Sequence, residues 1–181
     1  MAERHGLVLV HTGDGKGKTT AAMGLAVRAW GAGLRVHIIQ FIKNRKATGE
    51  MKAIDVLAAA DGRIAIEQCG RGFTRRGAGA QDKEAHRAAA LAGLERAESI
   101  MKGGKADLLI LDEINYAVKF GLVTIDEVLA VLDMRPSDMH VVLTGRDAAP
   151  EIVARADLVT EMKLIKHPYE QGIPAQLGIE F

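Results

Sequence analysis

Thr12-Gly13-Asp14-Gly15-Lys16-Gly17-Lys18-Thr19-Thr20 stands between four aliphatic residues, Leu7-Val8-Leu9-Val10, and a stretch from Lys18 to Trp30 with apolar residues at helical spacing. A short continuous apolar run that ends at glycine marks a strand covered on both faces. Gly31-Ala32-Gly33 stops the helix that follows. In the turn between them, glycines let successive N–H groups curl toward one concavity. The helix start adds its dipole and its free N–H groups, and the whole suits phosphate oxygens.

Strand, glycine-rich turn and helix supply the context in which a phosphate-binding loop is recognised. Gly13, Asp14, Gly15, Lys16, Gly17, Lys18, Thr19 and Thr20 therefore form the candidate nucleotide site, with Lys18 directed at phosphate oxygens and the Thr19 hydroxyl at Mg²⁺. The pattern G-x-x-x-x-G-K-[ST] is not met in full. Thr12 stands where its first glycine belongs, so Gly13 leaves a shortened loop, and Lys16 adds a second cation.

Farther along, Leu108-Leu109-Ile110-Leu111 delivers Asp112 and Glu113 to the end of another apolar run. Two carboxylates at the end of a buried strand fit the metal side of a phosphate-binding loop. One can meet the metal, directly or through water, and the other can fix Thr19 or Lys18. Thr144-Gly145-Arg146-Asp147 closes a further strand, and Arg146 is a candidate partner for phosphate or ribose.

The remaining elements alternate. Arg35 to Ile42 and Arg63 to Gln68 read as strands around a helix from Glu50 to Ala60. Asp82 to Met101 is an Ala-rich helix before the strand Ala106 to Leu111. Ile125 to Leu132 is a helix with Thr124 as N-cap and Glu127 three residues on. Val141 to Leu143, a helix from Pro150 to Ala156, and a strand from Leu158 to Ile165 complete the order, and a tail without period runs to Phe181. This order predicts one α/β domain over residues 1–181, with a mainly parallel sheet and helices on both faces.

Composition agrees. The chain has 181 residues, 48% hydrophobic and 26% charged, which excludes wholesale disorder and fibrous repeats. A net charge of +1 gives no global pull toward nucleic acid or an anionic membrane. The single Cys69 excludes an internal disulfide framework, and no apolar run is long enough to span a bilayer or to mark a leader, so a cytoplasmic protein is expected. The histidines show no ligand spacing and read as structural. Cys69 reads as a small buried hydrophobe, and Trp30 as core or a dimer contact.

These physical readings stop at a nucleotide-binding protein: an ATPase or kinase that turns over the terminal phosphate, or a non-catalytic ATP-binding module, is equally compatible with the loop. The wording of the chain goes further. The run from Gly13 to Ala22, Gln40-Phe41-Ile42-Lys43, Gly72-Phe73-Thr74, Leu111-Asp112-Glu113-Ile114-Asn115-Tyr116, Leu143-Thr144-Gly145-Arg146, Lys166-His167-Pro168-Tyr169 and Gly178-Ile179-Glu180-Phe181 occur in one order. Together they resemble the P-loop class of ATP:corrinoid adenosyltransferases, over essentially the whole chain.

The resemblance implies a RecA-like P-loop fold and a homodimer. It implies transfer of the 5′-deoxyadenosyl group of ATP to the Co(I) centre of a corrinoid, with release of intact triphosphate. The nucleotide would lie reversed, its terminal phosphates in the glycine cradle. Mg²⁺ would be held at Thr19 and Glu113, with Asp112 beside it. Lys18 and Glu113 are thereby the candidate catalytic residues. Co(I) is itself a strong nucleophile, so no general base at C5′ is expected. A flavoprotein is the candidate reductant.

In the family, Trp usually follows Gly-Phe-Thr. Here Arg75-Arg76-Gly77-Ala78-Gly79-Ala80 follows instead, which leaves Phe73 and Arg75 as the corrinoid-side candidates and leaves the preferred corrinoid open.

Overall fold

The structure is a computed structural model that describes residues 4–43, 48–72 and 80–180. The expectations for Phe73 and Arg75 lie outside the described residues. The elements are β1 (Val8–Thr12), α1 (Lys18–Gly31), β2 (Val36–Gln40), α2 (Gly49–Asp61), β3 (Ile64–Gln68), α3 (Ala80–Lys102), β4 (Leu108–Asp112), α4 (Ile114–Lys119), α5 (Ile125–Asp133), β5 (His140–Thr144), α6 (Pro150–Arg155) and β6 (Leu158–Glu161). A 3₁₀ turn, Pro168–Gln171, interrupts the tail.

All the strands pair in parallel, in the order β3-β2-β4-β5-β1-β6. Alternate residues feed two cores. Val8, Val10, Ile39, Leu109, Leu111, Val141 and Leu143 pack against α3, α4, α5 and α6. Val36, Ile38, Leu108, Ile110 and Val142 pack against α1 and α2 on the other face. Both faces being covered is why these strands read as unbroken aliphatic runs. Each fully buried Leu, Ile or Val contributes about 2 kcal/mol of apolar transfer before its entropy cost.

Register sets the site. His11 lies opposite Thr144, Leu111 opposite Leu143, and Gln40 opposite Asp112. The C-terminal ends of β1, β5, β4 and β2 therefore share one sheet edge, and one strand, β5, separates the glycine loop from the Asp112 strand.

Local signals hold where they were specific. Thr124 and Glu127 form a reciprocal capping box on α5. α2 begins with Thr48 accepting from the Met51 N–H and ends at Gly62 with φ 70°. Two differences have simple causes. α4 has six residues, too few to show a period. β6 stops at Glu161 rather than Ile165 because its neighbour β1 turns away at Thr12; Met162 makes a last bond to the Thr12 carbonyl at 2.8 Å and then faces the loop.

At the opposite sheet edge, Asp107 ties the chain start to the core. It accepts from the Arg35 main-chain N–H at 2.8 Å, from the Arg35 guanidinium at 3.0 Å, and from Arg4 at 2.7 Å. Bonds from Arg35, ahead of the opposing effect of burial, hold the Asp107 carboxyl far below the usual carboxylate range. A folded-state pKa below the unfolded value stabilises at any pH above the unfolded value, and that stability drains away as pH falls toward the folded one. Acid titration of the wild type should therefore show stability falling below about pH 4. Asp107→Asn should lose about 2 kcal/mol at pH 7 and show a flatter acid limb, read by urea denaturation at several pH values.

The remaining single-residue readings are structural ones. Cys69 is half-buried against the larger core, and burial raises its thiol pKa. Trp30 donates to Asp61 at 3.0 Å and lies under the Arg63 guanidinium. His37 pairs with Glu67, His140 accepts from the Leu7 N–H, and His167 caps the Tyr169 N–H. Among the described residues no helix is long and apolar enough to cross a membrane.

Candidate active site

The turn after β1 is shaped by close approach. Gly13 and Gly17 have φ 92° and 105°, a region that favours glycine. The Gly15 N–H donates to the Met162 carbonyl at 2.6 Å, and a Cβ on Gly15 would sit 2.6 Å from that same oxygen. The segment after β6 thus forms the back wall of the loop. Lys18 opens α1 and folds back, its Nζ donating to the Gly13 and Gly15 carbonyls, both at 2.6 Å. It is 8% exposed, and burial pulls its pKa down, with Arg146 adding to the effect.

Thr19, one residue on, donates its hydroxyl to Asp112 Oδ1 at 2.8 Å, and Thr144 donates to the same oxygen at 2.7 Å. Asp112 Oδ2 accepts from Gln40 at 2.8 Å and lies 3.5 Å from Lys43 Nζ. Asp112 is fully buried, with partners on both oxygens. Its carboxylate holds Thr19 in place.

Glu113 is built differently. It has φ 66°, unusual for a side chain with a Cβ, and its N–H donates to the Thr144 hydroxyl at 2.9 Å. Its Oε2 is buried and has no hydrogen-bond partner among the described residues. Burial first, then the Asp112 charge, pushes its carboxyl up to about 7, against the pull of Lys43, Lys18 and Arg146. A buried oxygen without a partner calls for one. The donors available, a threonine hydroxyl and a carboxylate, are hard oxygens of the kind Mg²⁺ takes, and Mg²⁺ completes its shell with phosphates and water. Among the described residues no group of three or more His, Cys, Asp or Glu can hold a metal by itself, and a phosphate-bound Mg²⁺ needs none.

These groups face a cavity of about 250 Å³. Residues 15–20 form one wall, and Glu113, Tyr116 and Arg146 another. Lys43, Glu50 and Glu180 complete it. Of the candidates from the sequence, Gly15, Lys16, Gly17, Lys18, Thr19, Thr20, Glu113 and Arg146 come together here. Gly13 acts through its carbonyl on Lys18, and Asp14 faces Arg146 at 3.8 Å outside the lining. Lys16 pairs with Glu180 of the tail. Gln40, Lys43, Thr144 and Glu180 stood in the motifs that carry the family resemblance but were given no site role from the sequence, and Glu50 was read only as the start of a helix. Beside that motif, Gln40 and Lys43 had a physical signal, as polar ends of an apolar strand run.

Fold and site together define a P-loop nucleotide-binding protein of RecA-like topology. The solved structures agree on the fold: the flagellar accessory protein FlaH of Methanocaldococcus jannaschii superposes with a TM-score of 0.59 at 13% identity, over 87% of this chain and 71% of that one. The KaiC-like protein PH0186 of Pyrococcus horikoshii gives 0.56 at 21% identity, over 90% and 75%. Sequence goes further. The profile of the family ATP:corrinoid adenosyltransferase BtuR/CobO/CobP matches residues 4–181. The corrinoid adenosyltransferase of Pseudomonas aeruginosa is 40% identical over 179 residues, 99% of this chain and 85% of that protein. Corrinoid adenosyltransferase CobA of Salmonella typhimurium is 35% identical, over 99% and 87%. The chain belongs to the ATP:corrinoid adenosyltransferase family, and so to the enzymes that transfer an adenosyl group to a corrinoid.

Proposed function

We propose that this chain, as a single domain, moves the 5′-deoxyadenosyl group of ATP onto Co(I) of a corrinoid and releases intact triphosphate. The observation that carries the reading is the division of labour between adjacent carboxylates: Asp112 is saturated and holds Thr19, while Glu113 keeps a free buried oxygen facing the phosphate cavity. Mg²⁺ bound there at Thr19 and Glu113 would supply charge neutralisation for the phosphates.

Everything else falls to the chain. The loop N–H groups and Lys18 hold the polyphosphate, and Lys16 exchanges Glu180 for it. Arg146 closes the β5 side. The cobalt electron pair forms the Co–C5′ bond as the C5′–O bond breaks, and that bond's pair leaves on the triphosphate. No proton moves, so neither Asp112 nor Glu113 acts as a base. The task is alignment and stabilisation of the leaving charge. A flavoprotein reductant, a homodimer and a cytoplasmic setting belong to the same proposal, carried by the family resemblance.

Anaerobic incubation with Mg·ATP and chemically reduced cob(I)alamin tests it. The expected result is adenosylated corrinoid with one triphosphate for each transfer. Orthophosphate without a change in corrin absorbance would replace the reading with an ATPase.

A further inference from the structure

Lys43 stands apart from the other cations of the cavity. Lys16 comes from the loop after β1, Lys18 from the first position of α1, and Arg146 from just past β5. Each has a nearby partner: Glu180, two loop carbonyls, and Asp14. Lys43 follows β2, and the strand order puts β4, with Asp112 and Glu113, between it and the rest. Its 3.5 Å approach to Asp112 Oδ2 is loose beside the 2.8 Å bond that Gln40 makes to the same oxygen, and its side chain keeps 28% of its exposure. A lysine held so weakly, on a four-carbon stem, is free to turn into the cavity it lines.

The side of the loop opposite Lys43 is walled. Toward β6 the loop is backed by Met162, packed on Gly13 and Gly15, and Glu180 covers Lys16. A macrocyclic acceptor is far larger than the cavity and does not pass this wall, so the proposed reaction brings it to C5′ from the Lys43 side, over β4 toward β2. The bond that breaks then lies between the phosphate cradle and the acceptor, where Lys43 and Glu113 face the cavity together.

We infer that Lys43 is a further catalytic residue, the cation that meets the oxygen released from C5′. The inference rests on the transfer reaction proposed above. In ATP that oxygen is an ester oxygen and carries little charge. Once C5′ has gone to cobalt, it holds the bond's electron pair as part of the triphosphate. A cation placed there binds the transition state and the product more tightly than the substrate.

That difference is the test. Lys43→Met should lower the single-turnover transfer rate about 100-fold, the lower end of the scale for losing one donor to a developing oxyanion. Titration calorimetry should show inorganic triphosphate binding about 10-fold weaker, with ATP binding changed less than about threefold. Lys43→Gln keeps a donor for Asp112 but no charge, and should be as slow as Lys43→Met; Lys43→Arg should restore triphosphate affinity. Equal weakening of ATP and triphosphate, or recovery in Lys43→Gln, would overturn the inference by making Lys43 a general phosphate contact or a prop for Asp112. A wild type that adenosylates corrinoid and releases triphosphate, while Lys43→Met matches it, sinks this inference alone. A wild type that yields neither product overturns the transfer reading as well.

Discussion

Lys18→Ala is expected to weaken ATP binding about 100-fold and to lower adenosyl transfer by roughly three orders of magnitude, the range for loss of a polyphosphate-gripping cation in a dry site. The ammonium does two jobs. Its paired bonds to the Gly13 and Gly15 carbonyls hold the loop closed, and burial has already stripped its water and drawn its pKa down. Phosphate oxygens then need only replace two carbonyls, with no hydration shell left to break. Lys18→Arg should fail almost as badly, because a planar fork does not fit between two carbonyls that each take a 2.6 Å bond from one nitrogen. Calorimetric ATP titration and anaerobic turnover decide it: a variant retaining a tenth of wild-type transfer would remove Lys18 from the machinery.

The fold was legible because both sheet faces are covered. Leu108 to Leu111 shows an unbroken aliphatic run for that reason, and glycine at 13, 15 and 17 records a loop pressed against Met162. Which of Asp112 and Glu113 turns to the cavity was not legible from the residues themselves, and only the family resemblance pointed to Glu113. The two acids are neighbours in sequence, and only the φ of 66° at Glu113 turns one toward the cavity while the other stays under Thr144 and Gln40. Nor did the sequence show Gln40 and Thr144 as partners, since parallel register across β2, β4 and β5 brings them to Asp112 from residues far away in the chain. Glu180 reaches Lys16 from a tail with no period at all, a contact that no local pattern encodes.

Asp112 offers the second large effect, because its two plausible substitutions separate charge from structure. Asp112→Ala leaves the donors of Thr19, Thr144 and Gln40 without their acceptor in a site of zero exposure, and should cost about 3–4 kcal/mol of stability along with all activity. Asp112→Asn is milder in shape. Its oxygen can keep both hydroxyls, and its amide can face Gln40 if Gln40 turns its own amide over. That flip presents the Gln40 nitrogen to Gln68, whose nitrogen now donates to Gln40 at 2.9 Å and whose Oε1 is buried without a partner among the described residues. Gln68 flips in turn: its idle oxygen becomes the acceptor, and its amide nitrogen takes the buried, unpartnered place that the oxygen leaves. The relay therefore moves the mismatch to Gln68, where a buried polar atom already stood unpaired, and Asp112→Asn should unfold in urea within about 2 kcal/mol of wild type, well short of the alanine variant. It should still lose transfer by about two to three orders of magnitude, because Thr19 and Glu113 no longer share a carboxylate neighbour that draws in a divalent cation. Denaturation measured beside Mg²⁺-dependent ATP binding separates the two effects. If Asp112→Asn folds normally and still binds Mg·ATP like the wild type, the Asp112 charge has no part in drawing the cation, and Thr19 and Glu113 act without it.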